Sequence, residues 1–136
     1  MALYQLTVFL ENRPGCLLEV TETLRDAGVD IRALSIAETP DYGLLRLIVD
    51  DFDKAADAIR ATGKMVKKNH VIGVKIANQA GGLVELLTLL KENNINVEYM
   101  YAFVSQEKGF ADVALRVSDR EKAEALLAEK NFAMIQ

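Results

Sequence analysis

At 136 residues the chain is long enough for one ordinary domain or two very small ones. Hydrophobic residues make up 51% and charged residues 26%, the balance of a folded chain rather than a disordered one. A net charge of −4 and a pI near 5.0 argue against nucleic acid and anionic membrane as partners, since both demand an excess of Lys and Arg.

The segment LYQLTVFL, residues 3–10, is apolar and β-prone. After Asn12-Arg13-Pro14-Gly15, the inward-facing set recurs at Leu17, Val20, Thr21, Leu24 and Ala27, which is helical spacing. Pro14 suits a first helical turn and Gly28 a stop. Residues 31–38 and 43–50 read as strands joined by a turn at Pro40-Asp41. Asp51 is placed to cap a second helix that runs to about Thr62, and residues 64–69 close the unit with a strand. The same order then returns: strands near 71–77, 96–104, 109–117 and 131–136, and helices near 81–93 and 119–130.

The return is a true repeat. An offset of 66 aligns Asn12 with Asn78, Gly15 with Gly81, Glu19 with Glu85, Leu24 with Leu90 and Ile31 with Val97. Past the next turn the offset becomes 68, so the second copy carries a hairpin loop two residues longer. A long unit present only twice is a duplicated domain, not a solenoid. Each copy reads β-α-β-β-α-β. The expected class is α+β: two ferredoxin-like repeats, residues 1–69 and 70–136, each an antiparallel sheet with its helices on one face. No Pro or Ser/Gly linker separates them, so edge-to-edge pairing into one eight-stranded sheet is expected, which would remove a vulnerable edge from each half.

Catalysis finds little footing. His70, the only histidine, lies at the junction of the copies with no nucleophile motif beside it, and reads as a surface residue. Cys16 opens the first helix, where a thiolate is favoured, yet a small core residue explains it equally well. One Cys and one His make no metal cluster and no disulfide, so neither metal nor cofactor is expected. Asp50, Asp51, Asp53, Glu121, Glu124 and Glu129 fall at helix starts and outer faces, as helix dipoles favour. KGFADVAL, Lys108 to Leu115, partly matches an RNA-recognition strand, but Asp112 stands where a stacking aromatic is needed, and Phe110 reads as an ordinary strand residue.

The two strand-to-helix loops remain. A helix start offers unpaired N–H groups and partial positive charge to an anion. Gly15 and Gly81 permit close approach, and Asn12 and Asn78 offer donors and acceptors. The competing reading is a plain helix capped by Asn.

These residues resemble a known family. FLENRPGCLLEVTETLRDAGVDIRALSIAET is similar to the first half of an ACT domain, a small-molecule-sensing module of amino-acid metabolism, and KIANQAGGLVELLTLLKENNINVEYMYAFVS to a second. The resemblance spans nearly the whole chain, with no catalytic domain attached. It implies a non-enzymatic regulatory protein, likened to stand-alone tandem ACT proteins, that binds a free amino acid between paired domains and signals to a metabolic enzyme, with assembly into a homodimer; a cytoplasmic location is expected from the N-terminus reading directly into a strand, the lack of a long apolar run and the single Cys. Without a retained ligand, the same architecture would serve as an adaptor that grips an enzyme. Carried onto this chain, the family's ligand contacts fall on Asn12, Arg13, Pro14, Gly15 and Asp30 in the first copy. In the second they fall on Asn78, Gln79, Ala80, Gly81, Gly82 and Asn96. The first loop, with Arg13 and Pro14, reads as stiffer and structural. The second, with Ala80, Gly81 and Gly82, reads as open to ligand; the alternative is a second site that has decayed. Tyr99, Tyr101 and Phe103 share one face of a strand where the first copy has Ala33, Ser35 and Ala37. That face reads as core, as a surface for another sheet or helix, or as a pocket wall.

Overall fold

The computed structural model describes residues 3–104 and 107–135. The tip of the longer hairpin and the final residue of the expected strand 131–136 lie outside them. Eleven elements follow in order: β1 (Leu3–Glu11), α1 (Cys16–Asp26), β2 (Ile31–Glu38), β3 (Tyr42–Val49), α2 (Phe52–Ala61), β4 (Val66–Ala77), α3 (Gly82–Glu92), β5 (Val97–Ala102), β6 (Phe110–Val117), α4 (Arg120–Glu129) and β7 (Ala133–Ile135). The strands expected at 64–69 and 71–77 are one strand. Nothing in KKNHVIGVK breaks an extended backbone, so β4 runs on through the repeat boundary.

The chain divides into two compact units, one of residues 4–69 and the other of Leu3 with residues 70–135. In the first, the strand order is β4-β1-β3-β2; in the second it is β7-β4-β6-β5. The strand β4 thus closes the first sheet with its early residues and serves as the first strand of the second with its later ones. The β1–β3, β2–β3, β4–β6, β4–β7 and β5–β6 pairs are antiparallel. Both units are ferredoxin-like.

Each core lies between a sheet and its helices. In the first unit Leu6, Val8, Leu10, Leu45, Leu47 and Val49 meet Cys16, Val20 and Leu24 of α1 and Ala55 and Ile59 of α2. In the second, Ile72, Val74, Ile76, Val113 and Leu115 meet Leu86 and Leu90 of α3 and Ala123 and Leu127 of α4. Period-2 strands and period-3.6 helices bring these residues to one face each. The helices end alike in both units. Gly28 and Gly63 take positive φ after α1 and α2, and Asn94 and Asn131, at the aligned positions, do so after α3 and α4. Asn is the side chain that best tolerates that conformation.

The opposite sheet face is not bare. Gln5 is fully buried there and donates to Thr7 Oγ1 at 3.0 Å, and Thr7 in turn donates to Asn69 Oδ1 at 2.6 Å. In the second unit Met100 pairs with Leu115 on the helix side, so Tyr99, Tyr101 and Phe103 point away from the helices. The stripe is therefore not part of the core between sheet and helices. Tyr99 and Tyr101 are half-buried and stack at 6.4 Å between ring centres, while Phe103 is buried. Among the described residues no helix is long and apolar enough to cross a membrane.

Candidate functional site

Two of the four helices are capped by side chains, and two are not. Asp51 accepts from the Lys54 N–H at 3.2 Å, and Asp119 accepts from the Lys122 N–H at 3.1 Å. The starts of α1 and α3 lack any such bond; each begins after a glycine with positive φ, Gly15 at 89° and Gly81 at 82°. Capping by Asn12 or Asn78 is therefore overturned: the left-handed glycine turn places the helix start four residues beyond the Asn. Pro14 likewise lies in the turn ahead of α1 rather than in its first helical turn.

The two loops share a backbone path. Arg13 N–H donates to the Glu11 carbonyl and Gln79 N–H to that of Ala77, both at 3.0 Å. Cys16 N–H reaches the Arg13 carbonyl at 3.4 Å, and Gly82 N–H the Gln79 carbonyl at 3.0 Å. The second loop is drawn tighter. A Cβ on Gly82 would fall on the Ala77 carbonyl oxygen, so this glycine admits the chain's own backbone. Its smallness thus has a structural reason beside the ligand access expected of it. Cys16, at the aligned position, is buried in the first core, in agreement with its reading as a small core residue.

The side chains around the loops differ more. In the first unit Arg13 bonds Glu11 at 2.8 Å and lies 3.6 Å from Glu19, and Glu19 lies 3.3 Å from Lys64. The bond from Glu11 holds the Arg13 guanidinium further into its charged form. Alignment replaces each partner in the second unit: Ala77 for Glu11, Gln79 for Arg13 and Phe132 for Lys64, while Glu85 keeps the place of Glu19. Where the ion cluster stood, the second unit has a cavity of about 330 Å³, with Gln79, Gly81, Gly82, Glu85, Phe110 and Phe132 in its wall together with Lys75, Lys130 and Asn131. Lys75 bonds Glu107 and lies 3.9 Å from Asp112; the Glu107 bond keeps its ammonium above the ordinary lysine range. Neither Glu85 nor Lys130 forms an ion pair among the described residues. The site thus combines anion, cation, amide and two aromatic rings.

Asp30 and Asn96 do not join these loops within their own units. The Asp30 N–H donates to Asp50 Oδ1 and Asn96 N–H to Ser118 Oγ, each at 3.0 Å. Those bonds close the far ends of β3 and β6. Glu11 pairs with Tyr42 at the near end of β3, so its eight residues separate Asp30 from the Asn12 loop by roughly 25 Å. The same holds for Asn96, because Ala77 pairs with Phe110 at the start of β6. A loop and a second-strand start can share a ligand only if they come from different domains.

His70, read as a surface residue at the junction of the copies, is only partly exposed. It lies within β4, half-buried, with Nε2 3.7 Å from Glu124, which Arg120 also engages at 2.9 Å. The Lys75, Phe110, Lys130, Asn131 and Phe132 walls of the cavity escape sequence reasoning. They come from three elements far apart in the chain and meet the loop through the β4–β6 and β4–β7 registers. The missing partners of Glu85 were the one readable signal, through the repeat alignment. The Tyr99, Tyr101 and Phe103 stripe takes no part in this wall.

The model of the ACT domain pair family matches residues 1–136. Protein BT0572 from Bacteroides thetaiotaomicron superposes with a TM-score of 0.92 at 37% identity, over 99% of this chain and 92% of that one. The regulatory subunit of aspartate kinase from Thermus thermophilus, in its ligand-free form, gives a TM-score of 0.69 at 16% identity, over 93% and 89% of the two chains. Its counterpart from Thermus flavus gives 0.63 at 14%, over 94% and 90%. These two likenesses speak to fold alone. No protein of curated function matches the chain. With two ferredoxin-like units, uncapped glycine turns at both loops and a family match along its whole length, the chain belongs to the ACT domain pair family.

Proposed function

We propose that this protein is a non-catalytic regulatory subunit that binds a free amino acid, and that the working loop is the second. The observation that carries the reading is the cavity standing where the first unit keeps its Arg13–Glu19–Lys64 cluster. An amino acid supplies what that cluster lost. Its ammonium replaces the missing cations beside Glu85. Its carboxylate meets Lys130 and the positive end of the α3 dipole. Its side chain lies against Phe110 and Phe132. A volume of about 330 Å³ sits at the lower end of ligand pockets, as a single amino acid requires. Contact with Asn96 or Asp30 would come from an apposed domain, so ligand and assembly are coupled, which is how binding would be passed to an enzyme. Resemblance in fold to aspartate kinase regulatory subunits supports a regulatory role of this kind.

The test is thermal denaturation of the full chain with each of the twenty amino acids. A ligand present at about 100 times its Kd adds about 2.7 kcal/mol, roughly 5 °C or more for a chain of this size. Gln79→Arg refills the cavity with the cation of the first loop and should abolish the shift, whereas Arg13→Gln should leave it intact. Equal losses in both variants, or none, would reject the second loop as the site. A second reading, an adaptor with no ligand, draws on α3, which exposes Leu83, Val84 and Leu87 in one stripe. No shift with any amino acid, together with retention of an enzyme through that stripe, would favour it.

A further inference from the structure

The second unit holds another cavity, of about 350 Å³, between α4 and the paired strands β4 and β7. From α4 it is walled by Glu121, Glu124, Ala125 and Ala128, whose spacing puts them on one helix face. Alignment with the first unit shows what is particular to this wall. Five of its positions are apolar where the first unit is polar: Val71 answers to Gln5, Gly73 to Thr7, Ala125 to Asp57, Ala128 to Arg60 and Ile135 to Lys67. These exchanges lie on three elements far apart in the chain, yet they meet at one cavity. One exchange runs the other way, placing Glu124 where Ala56 is buried in the first core. Gly73 also serves the enclosure. A Cβ there would meet Leu3 Cδ2 at 2.8 Å and Ile135 Cβ at 2.9 Å, so its bareness lets those two wall residues close together.

The charges of the wall decide what could enter. Arg120 engages Glu124 at 2.9 Å and His70 Nε2 lies 3.7 Å from it, so this carboxylate is matched. Glu121 forms no ion pair among the described residues. No Lys or Arg stands among the described residues of the wall. The cavity thus offers an apolar interior and one unmatched negative charge. We infer that it binds an aliphatic primary amine of about amino-acid size, with the alkyl chain against Ile72, Met134 and Ile135 and the ammonium on Glu121. The volume, at the lower end of ligand pockets, suits a molecule of that size. A carboxylate on the ligand would face Glu121 and Glu124 with no cation to receive it, so a free amino acid is disfavoured here. A neutral alcohol would gain the apolar contacts but leave Glu121 unmatched.

The experiment is titration calorimetry of the full chain with hexylamine, hexanol and hexanoate as probes, and amide NMR spectra to locate the site. Hexylamine should bind at least tenfold more tightly than hexanol, and hexanoate should not bind. The amide shifts should centre on Ile72, Gly73, Ala125 and Ala128. Glu121→Gln should bring the amine down to the level of the alcohol. Ala125→Leu fills the cavity with another good helix former and should abolish binding of both. Both positions are exposed, so the variants should fold, as melting curves would verify. No binding of the amine, equal binding of amine and hexanoate, amide shifts elsewhere, or an unchanged amine Kd in either variant would overturn the proposal. The cavity shares no wall residue with the one at the second loop, so these results are separate from any test of amino-acid binding there.

Discussion

The two strand-to-helix loops make the same turn by different means. Both bend through a left-handed glycine and both leave their helix without a side-chain cap. The first is held from outside, by a chain of charges running from Glu11 through Arg13 and Glu19 to Lys64. The second is held from within, by a backbone so close at Gly82 that no side chain fits, and the space released becomes a cavity. Duplication lets one copy keep the scaffold while the other trades side chains for volume. A salt-bridge cluster is the easiest feature to trade, because exposed ion pairs add little stability.

The comparison can be tested from its strongest element downward. Leu24 and Leu90 occupy the same place in the two cores and are both buried to 1% exposure. Leu24→Ala and Leu90→Ala should each cost about 2–5 kcal/mol in denaturant unfolding. Hydrogen exchange should show the early loss of protection confined to the unit that carries the change. Next comes Gly82→Ala. Its methyl would meet the Ala77 carbonyl oxygen, and opening the loop should cost about 1–3 kcal/mol despite the better helix propensity of Ala. Cys16→Ala, at the aligned position, introduces no clash of this kind and should cost less.

Gly15→Ala and Gly81→Ala should be equal to each other, at roughly 1 kcal/mol each. A Cβ meets nothing within 4 Å at either position, and only the positive φ resists it. Unequal values would show that the turns are not equivalent. The smallest effect belongs to Arg13→Gln, which writes the second loop's residue into the first. The side chains of Arg13 and Glu11 are 50% and 79% exposed, so the change should leave the unfolding midpoint essentially where it was. A larger loss would mean that the ion cluster is structural and could not have been surrendered so cheaply in the second copy.

Much of this was legible beforehand. The helical spacing of Val20 and Leu24, and the alignment of Leu24 with Leu90, gave core positions in both units, and Asp51 was read correctly as a cap. The loops were singled out from Asn12, Gly15, Asn78 and Gly81 by residue chemistry. The capping role proposed for the Asn residues failed because a left-handed glycine displaces the helix start. At Gly82 the missing side chain also makes room for the Ala77 carbonyl, a contact that residue type alone did not signal.

The sequence by itself determined the duplication, the order of elements and the helix stops, down to the exchange of Gly28 and Gly63 for Asn94 and Asn131. These are local properties, set by periodicity and by the conformations each residue tolerates. Only the tertiary structure decided that β4 is one strand serving two sheets, and that Lys130 and Phe132 stand over a loop some fifty residues earlier. It also decided that Asp30 and Asn96 lie at the opposite ends of their units from the loops. Those outcomes depend on strand register, where a shift of one residue changes every partner across the sheet, and no short stretch of chain records it.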